Sequence, residues 1–344
     1  MTITTRNRDF REARRAKKDE FYTSLSDIEL ELKHYARYFK GKVVYCNCDD
    51  PRASNFFRYF SINFERLGLK KLITTCYRSQ NADQFGLDDS DRAVYLEYTG
   101  DKNSHGIPDA EEIGIEQLHG DGDFRSAESV KLLRQADIVV TNPPFSLFRE
   151  YVAQLVDHNK QFLIIGNMNA LTYKEIFPLF QNGQVWYGPS IRSGDREFRV
   201  PDNYPITAAG SRVDEEGKKY VRVKGVRWFT NLDYPGRHED LDLHKTYSPD
   251  AYSRYANFDA IDVSKTTNIP VDYDAPMGVP ITFLDKYNPG QFDILGSSKS
   301  LARPMSEVAK KGTYQRGGPR FYLPNGDGTY RRMYDRIVIR NRQL

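Results

Sequence analysis

The four residues Asn142-Pro143-Pro144-Phe145 join a side-chain amide, two rigid imino acids and an aromatic ring. The two consecutive prolines fix the backbone and remove two N–H donors, which leaves the nearby carbonyls free to accept. The Asn142 side-chain oxygen and the Pro143 carbonyl can each accept one N–H of a conjugated amino group. An aromatic ring at Phe145 can stack on the base that carries such a group once the base has left its duplex.

The amino group of adenine is a poor nucleophile because its lone pair is delocalised into the ring. Two acceptors at this group pull the nitrogen toward tetrahedral geometry and direct its lone pair at a methyl donor. No strong general base is needed, because the nitrogen becomes cationic on attack and loses its proton afterwards. The tetrapeptide therefore predicts methyl transfer to a planar amino group by orientation and by hydrogen bonds that strengthen in the transition state.

The position of the tetrapeptide supports this interpretation. It directly follows the apolar run 137–140, which reads as a buried strand, and a helix is predicted after it. In an open parallel sheet, ligands bind at the carboxyl ends of the strands. The competing interpretation is an ordinary Pro-Pro turn, and this context makes that turn the less favoured of the two.

Apolar spacing upstream and downstream predicts alternating helices and strands. Helices are expected at 27–39, 54–67, 126–135, 145–156 and 172–180, and strands at 43–46, 71–76, 137–140 and 162–165. This alternation predicts a doubly wound, Rossmann-like α/β domain, interrupted by a polar connection at 79–114 and extending to about residue 188.

The pattern changes after Gly188, where glycines, prolines and short alternating segments predict an irregular, strand-rich region. Strand segments are expected within 220–230 and at 281–284, 292–295 and 337–339, some of them returning to the main sheet.

Composition limits the class of protein. No apolar run approaches the roughly 20 residues of a membrane span, and the N-terminus lacks the apolar stretch of a secretory signal, so a cytoplasmic protein is expected. The three cysteines, Cys46, Cys48 and Cys76, fit a reducing compartment. Since no second Cys or His pair accompanies Cys46 and Cys48 at ligand spacing, we predict no metal site.

The net charge is only +3, but its distribution is uneven. Residues 1–18 carry seven Lys/Arg and two Asp/Glu, residues 299–344 carry eleven and three, and the part between has a net charge of −10. Basic ends around an acidic body predict arms that neutralise DNA phosphates. For residues 1–18 the alternative is a merely solvated terminus.

Several long runs in one order resemble the EcoRI-type adenine-specific DNA methyltransferases over nearly the whole chain. They are DEFYT (19–23), KVVYCNCDDPRASNFFRYF (42–60), GDGDFRSAES (120–129), ADIVVTNPPFSLFREY (136–151), MGVPITFLDKYNP (277–289) and RIVIR (336–340). The resemblance implies transfer of a methyl group from S-adenosylmethionine to the N6 amino group of a flipped-out adenine in double-stranded DNA. It also suggests GAATTC as the target, with the inner adenine methylated for restriction protection.

The resemblance also implies a set of cofactor-binding residues. They are Phe21, Tyr22 and Thr23, then Asn47, Asp49 and Asp50 after the first strand, then Asp121, Asp123 and Phe124, and Asn142 itself. Asp49 or Asp50 would hold the ammonium group of the methionine moiety, unless it caps the next helix. Asp123 would accept from the cofactor's adenine, with Phe124 on the ring, although an Asp-Gly turn fits this segment equally well. No G-x-G-x-x-G is present, so a dinucleotide cofactor is not predicted.

The order of these segments predicts three parts: a basic arm (1–18), a cofactor-binding and catalytic domain (19–188) and a target-recognition region with a basic C-terminal tail (189–344). Candidates for DNA contacts in the last part are Arg192, Arg196, Arg199, Arg222, Lys224 and Arg227. Most of them are expected to be solvated side chains or phosphate contacts and not residues that read bases. A monomer is expected, and any cognate restriction endonuclease would act on the same sequence without a stable complex.

Two other functions fit the tetrapeptide. One is methylation of a glutamine amide in a protein, where the amino group poses the same problem. The other is DNA binding without catalysis on the same fold. The basic ends argue against the first, and the intact Asn142 and Phe145 argue against the second.

Overall fold

A computed structural model of the chain describes residues 21–51, 54–76, 93–100, 114–192, 195–200, 204 and 210–342. The predicted basic arm at 1–18 and most of the polar connection at 79–114 lie outside these residues. The described residues form two compact units. The first contains the described residues up to Ile176 together with Tyr187–Asp233, and the second contains Phe177–Trp186 and the described residues from Tyr234 onward. No helix in these ranges is long and apolar enough to cross a membrane.

The strands of the described residues, in chain order, are β1 (Val43–Cys46), β2 (Lys71–Thr75), β3 (Val94–Tyr98), β4 (Glu116–Gln117), β5 (Ile138–Thr141), β6 (Gln161–Asn167), β7 (Trp186–Tyr187), β8 (Asp195–Val200), β9 (Ser211–Val213), β10 (Lys219–Lys224), β11 (Val226–Thr230), β12 (Ile261–Asp262), β13 (Met277–Pro280), β14 (Phe292–Ser297), β15 (Tyr322–Pro324), β16 (Tyr330–Arg332) and β17 (Arg336–Asn341). The α-helices are α1 (Leu25–Leu32), α2 (Ala36–Phe39), α3 (Asn55–Ile62), α4 (Phe64–Leu67), α5 (Ala127–Gln135), α6 (Phe148–Asp157), α7 (Phe177–Gln181) and α8 (Ser298–Leu301).

An eight-stranded sheet has the order β4-β3-β2-β1-β5-β6-β11-β7. Its central strands β2-β1-β5-β6 are parallel, whereas β3 runs antiparallel to β2 and β11 antiparallel to β6. The central strands are rich in Val and Ile, and β1 and β5 are buried at every position, as expected for strands covered on both faces. The parallel core of the predicted α/β fold is therefore confirmed, and its antiparallel edges were not predicted.

The strand order places the switch point of the sheet between β1 and β5. The strand β1 pairs with β2 on one side and with β5 on the other, so the chain leaves β1 in one direction and returns on the opposite side. The crevice outside the carboxyl ends of strands at such a point is where open α/β sheets bind ligands. The segments that follow β1 and β5 therefore meet at one edge of the sheet.

Several predicted helices are broken in the structure. The helix predicted at 54–67 divides at Asn63, whose side chain donates to the Tyr59 carbonyl (2.8 Å) and so competes with the backbone. It ends at Gly68, with φ +62°, as predicted. The helix predicted at 27–39 divides into α1 and α2, which are separated by Lys33–Tyr35.

One further predicted helix is shorter than predicted, and one predicted strand is wrong. The helix predicted at 172–180 is a 3-10 helix at Met168–Thr172 followed by α7. The strand predicted at 281–284 is a 3-10 helix, Ile281–Lys286, in which only Phe283 and Leu284 are buried. Short apolar runs do not distinguish a strand from a single buried helical turn.

A small antiparallel sheet in the first unit has the order β8-β10-β9. Burial alternates along β10, where Val221 and Val223 are buried and Arg222 and Lys224 are exposed. This period of two is the pattern expected of a sheet that covers a core with one face.

The second unit contains a four-stranded sheet, β12-β13-β17-β14, and the hairpin β15-β16. The strands predicted at 292–295 and 337–339 are confirmed as β14 and β17, but they lie in this separate sheet. The predicted return to the main sheet is wrong for them, and the strand that returns is β11. The second unit also contains a buried ion pair between Arg336 Nε and Asp262 Oδ1 (3.0 Å), beside the hydroxyl of Tyr255.

Candidate active site

The side chain of Asn142 is held in one orientation by the N-terminal segment Phe21–Thr23. Its Nδ2 donates to the Phe21 carbonyl (2.6 Å) and contacts the Thr23 hydroxyl (3.3 Å). Because a backbone carbonyl only accepts, the amide nitrogen must face this segment. The other amide atom, Oδ1, is buried and has no hydrogen-bond partner among the residues that the structure describes. A buried acceptor without a donor costs about 1–3 kcal/mol, so a ligand donor is expected at this atom.

The segment Phe21–Thr23 is itself anchored at two further points. Asn55, the first residue of α3, donates from Nδ2 to the Thr23 carbonyl (2.7 Å), and the Tyr22 N–H donates to the Arg199 carbonyl in β8 (2.9 Å). The predicted N-terminal segment and the predicted catalytic tetrapeptide therefore lie together. Sequence reasoning missed Asn55, which has no signal beyond its position after a helix cap.

The ring of Phe145 lies in an aromatic cluster. Its centroid is 5.4 Å from that of Phe21 and 6.5 Å from that of Phe198, and the Phe21 ring is also 6.4 Å from Tyr204. Phe198 and Tyr204 were not predicted, because they belong to a region assigned to target recognition. The Pro144 carbonyl accepts from Leu147 N (3.0 Å) and closes the turn. The role of the Pro143 carbonyl as second acceptor stays a prediction.

The loop after β1 places Asn47 at the same edge of the sheet. Its side chain is 2% exposed, and its Oδ1 accepts from the Tyr151 hydroxyl. Its Nδ2 has no partner among the described residues. A buried donor left unpaired beside the switch point fits a cofactor that carries acceptor groups. Tyr151 is a further residue that the sequence did not reveal, since its helical position reads as core.

Asp49 connects this loop to the tetrapeptide. Its carboxylate accepts from the hydroxyl of Thr141, the residue before Asn142, and from Ser54 Oγ (3.1 Å). The cap of α3 is Ser54, whose Oγ accepts from the N–H groups of Phe56 (3.0 Å) and Phe57 (3.3 Å). The alternative that Asp49 or Asp50 caps this helix is therefore wrong.

The environment of Asp49 favours its neutral form. Burial raises the pKa of the Asp49 carboxyl from its ordinary 3.8 to about 7, against the opposing effect of the hydrogen bonds from Thr141 and Ser54. The neighbouring charge of Asp50 raises this pKa further. A cation bound beside Asp49 would have the opposite effect.

The segment Gly120–Phe124 packs against Tyr151, whose hydroxyl donates to Asn47 in the loop after β1. Phe124 is buried, and its ring packs edge-on against Tyr151, with centroids 5.0 Å apart. The carboxylate of Asp123 is held by Arg125 (Nε 2.9 Å, Nη2 2.6 Å), and Asp121 Oδ1 accepts from the Asp123 N–H (3.0 Å). The turn that competed with the cofactor role of this segment is thus present, and the role itself stays a prediction.

Gly122 is expected to tolerate no side chain. Its φ is +74°, and an added Cβ would lie 2.2 Å from the Cys76 carbonyl oxygen and 2.8 Å from Ala93 Cβ. Gly122→Ala should lower the free energy of unfolding by more than the roughly 1–3 kcal/mol that the backbone conformation alone costs. Gly114→Ala is the matched control, since Gly114 has φ +84° and nothing within 4 Å. Equal destabilisation of the two variants in urea would contradict the close approach at Gly122.

The six predicted DNA-contact residues have different surroundings. Arg227 is buried, and its guanidinium donates to the carbonyls of Val226 (2.7 Å) and Arg192 (2.8 Å), so its charge serves the protein interior. Arg196 Nε lies 3.3 Å from Asp27 Oδ1. Arg192, Arg222 and Lys224 are exposed and Arg199 is half-buried. In the part of the chain described, no group of three His, Cys, Asp or Glu side chains is placed to hold a metal ion.

A mixed α/β sheet that presents an Asn-Pro-Pro-Phe segment at its switch point fits the methyltransferase class. The family model of adenine-specific methyltransferase EcoRI matches residues 9–342. Type II methyltransferase M.EcoRI of Escherichia coli is 46% identical over 304 residues, which cover 88% of this chain and 92% of that protein. Type II methyltransferase M.MpnI of Mycoplasma pneumoniae is 38% identical over 341 residues, 97% of this chain and 98% of that protein. No solved structure matches the chain.

The chain therefore belongs to the EcoRI-type family of adenine-specific methyltransferases, and it is an adenine-specific DNA methyltransferase. The resemblance and the enzyme class predicted from the sequence are confirmed. Neither methylation of a protein glutamine nor DNA binding without catalysis agrees with this membership.

Proposed function

We propose that this enzyme transfers a methyl group from S-adenosylmethionine to the N6 amino nitrogen of an adenine that has been flipped out of double-stranded DNA. The observation that carries the proposal is the buried Oδ1 of Asn142, which has no partner in the described part of the chain and is held facing away from Phe21 and Thr23. An acceptor without a partner at the carboxyl end of β5 is what an N–H donor of a substrate requires.

Three residues of the tetrapeptide, Asn142, Pro143 and Phe145, bind the base. Asn142 Oδ1 accepts one N–H of the amino group and the Pro143 carbonyl accepts the other. Both hydrogen bonds strengthen as the nitrogen becomes cationic, so they stabilise the transition state more than the ground state. Phe145 stacks on the ring, and its neighbours Phe21 and Phe198 make its surroundings apolar. The proton leaves after attack, so no side chain is assigned as a general base.

The residues around β1 fit S-adenosylmethionine, which supplies an activated methyl group on a sulfonium ion. Asn47 Nδ2 is a buried donor with no partner among the described residues, and Asp49 is a carboxylate suited to an ammonium group. Phe21, Tyr22 and Thr23 border the same edge through Asn142. We assign Asp50, Asp121, Asp123 and Phe124 to the same cofactor on the family resemblance. The parallel strand order β2-β1-β5-β6 supports a Rossmann-like form of the fold.

The biological role that we propose is protection of DNA within a Type II restriction-modification system. The 46% identity to M.EcoRI supports GAATTC as the target, with the inner adenine methylated. The enzyme is proposed to act as a monomer, and a cognate endonuclease would cut the same sequence without forming a stable complex. Residues 189–344 are assigned to target recognition, although β8 to β11 within this range belong to the first compact unit.

Long-read sequencing of DNA from cells that express the chain tests the proposal directly, because it reports the modified base and its context together. The expected result is N6-methyladenine at the inner adenine of GAATTC, strongly reduced in cells that express Asn142→Ala. N6-methyladenine in another context would overturn only the target. Label from S-adenosylmethionine found in protein and not in DNA would overturn the proposed reaction.

A further inference from the structure

The antiparallel sheet β8-β10-β9 has two chemically different faces. Residues directly opposite each other on paired strands point to the same face. The register pairs Val221 with Phe198 on the buried face, whereas on the other face it pairs Arg222 with Glu197 and Lys224 with Asp195. Strand β9 adds Arg212 to this second face, opposite Tyr220. We call the second face, formed by Asp195, Glu197, Arg199, Arg212, Tyr220, Arg222 and Lys224, the outer face.

The buried face of the same sheet contacts the active site. The Phe198 ring lies 5.6 Å from that of Phe21 and 6.5 Å from that of Phe145, between centroids. The Tyr22 N–H donates to the Arg199 carbonyl (2.9 Å), which ties the edge of β8 to the segment that orients Asn142. The outer face is therefore the opposite side of the sheet whose buried face contacts Phe145, the residue that we propose stacks on the flipped base. Duplex DNA that presents a base to Phe145 is therefore expected beside this sheet.

The charges of the outer face are not equally available. Arg212 binds Glu197 through two hydrogen bonds (2.9 and 2.5 Å), and its guanidinium lies over the Tyr220 ring at 4.2 Å. Because Arg212 holds the carboxylate, the pKa of Glu197 is lowered and its negative charge is compensated within the sheet. Arg222 and Lys224 are exposed, and neither forms an ion pair with another described residue.

We infer that the outer face is a docking surface for the phosphate backbone of duplex DNA, with Arg222 and Lys224 as its phosphate contacts. The two residues alternate on one strand, so both cations face the same way. Arg212 binds Glu197, the carboxylate that lies opposite Arg222 in the register, and Arg222 adds a weaker electrostatic attraction to the same carboxylate. Phosphate contacts of this kind position the duplex and carry no sequence information. The inference rests on the proposed function, since it takes duplex DNA as the substrate.

The test is the salt dependence of DNA binding by Arg222→Ala/Lys224→Ala in the full chain, measured by fluorescence anisotropy without cofactor. Each lost phosphate contact reduces the slope of log affinity against log salt by about 0.9, so the double variant should lose about 1.8. The affinity gap between parent and variant then narrows about 12-fold from about 50 mM to about 200 mM salt. The loss should be equal for a duplex that contains GAATTC and for a scrambled duplex, because phosphates do not report sequence.

Two control variants separate this contact from general charge and from folding. Lys131→Ala/Lys174→Ala removes the same charge from two exposed lysines of the same unit and should keep the parent slope. Arg222→Lys/Lys224→Arg keeps both cations and should also keep the slope. An unchanged slope in the Ala double variant would overturn the inference, and so would an equal loss in the Lys131/Lys174 control. The binding assay needs no methyl transfer, so its failure is distinguishable from that of the proposed reaction.

Discussion

Replacing Asn142 by Ala is expected to reduce kcat by roughly 10²–10³, the usual cost of one hydrogen-bonding group that stabilises a transition state. The variant loses Oδ1, the acceptor that has no partner within the described protein. S-adenosylmethionine affinity should fall much less than kcat, because Asn47 and Asp49 are unchanged and only the contacts of Nδ2 with Phe21 and Thr23 are lost. Single-turnover methylation of duplex DNA and equilibrium dialysis with the cofactor measure the two effects separately.

Asn142→Ala also removes the two contacts that Nδ2 makes with Phe21 and Thr23, so a matched control is needed. Asn55→Ala provides it, because it releases the Thr23 carbonyl from the other side and leaves Oδ1 of Asn142 in place. We expect Asn55→Ala to weaken cofactor affinity more than it lowers kcat. A loss of kcat as large as that of Asn142→Ala would assign the effect to the segment Phe21–Thr23. Methylation by Asn142→Ala at a near-parental rate would refute the proposed mechanism.

The sequence predicted the central sheet because its strands are buried on both faces and read as continuous apolar runs. The strands at 43–46 and 162–165 are clear examples, and β1 matches its predicted bounds. The antiparallel strand β11 was predicted as a strand, but nothing in residues 226–230 indicates that it pairs with β6. Partner choice depends on long-range packing, which periodicity does not encode.

The site was predicted to the extent that its residues lie in recognisable segments. Asn142 and the segment 21–23 are 119 positions apart, and only the fold shows that one orients the other. Arg227 illustrates the opposite limit. It alternates with hydrophobic neighbours in a basic region and reads as a DNA contact, yet its guanidinium is used by two backbone carbonyls. Burial decides whether a cationic side chain is free to bind a ligand or is used by backbone carbonyls in the interior, and one sequence does not reveal burial.

The second large effect is expected at Asp49, where the carboxylate accepts from Thr141 and Ser54 at the junction of the β1 and β5 loops. Asp49→Asn keeps the shape and removes the charge that we assign to the cofactor's ammonium group. A hydrogen bond to a charged group contributes about 1.5–3 kcal/mol, so cofactor affinity should fall by roughly 10- to 100-fold. Equilibrium dialysis with S-adenosylmethionine measures this loss.

The pH dependence gives the sharper test. The pKa of Asp49 is raised to about 7, so in the free enzyme the carboxyl is neutral below this pH and ionised above it. A cationic group binds the ionised form, and cofactor affinity should therefore rise with pH up to about 7 and then level off. Stability has the opposite sign. The folded protein binds this proton more tightly than the unfolded chain, so the free energy of unfolding should fall as pH rises from 3.8 to about 7.

Thr141 allows the titration to be assigned to Asp49 and not to another group. The hydrogen bond from its hydroxyl lowers the pKa of Asp49, so Thr141→Val should move the rise in cofactor affinity to higher pH, and Thr141→Ser should restore it. Asp49→Asn should abolish the rise altogether. A purely structural role for Thr141 would weaken binding equally at every pH and leave the midpoint in place. Because Thr141 immediately precedes Asn142, a shifted midpoint would also show that the residue next to the catalytic amide sets the pKa of Asp49.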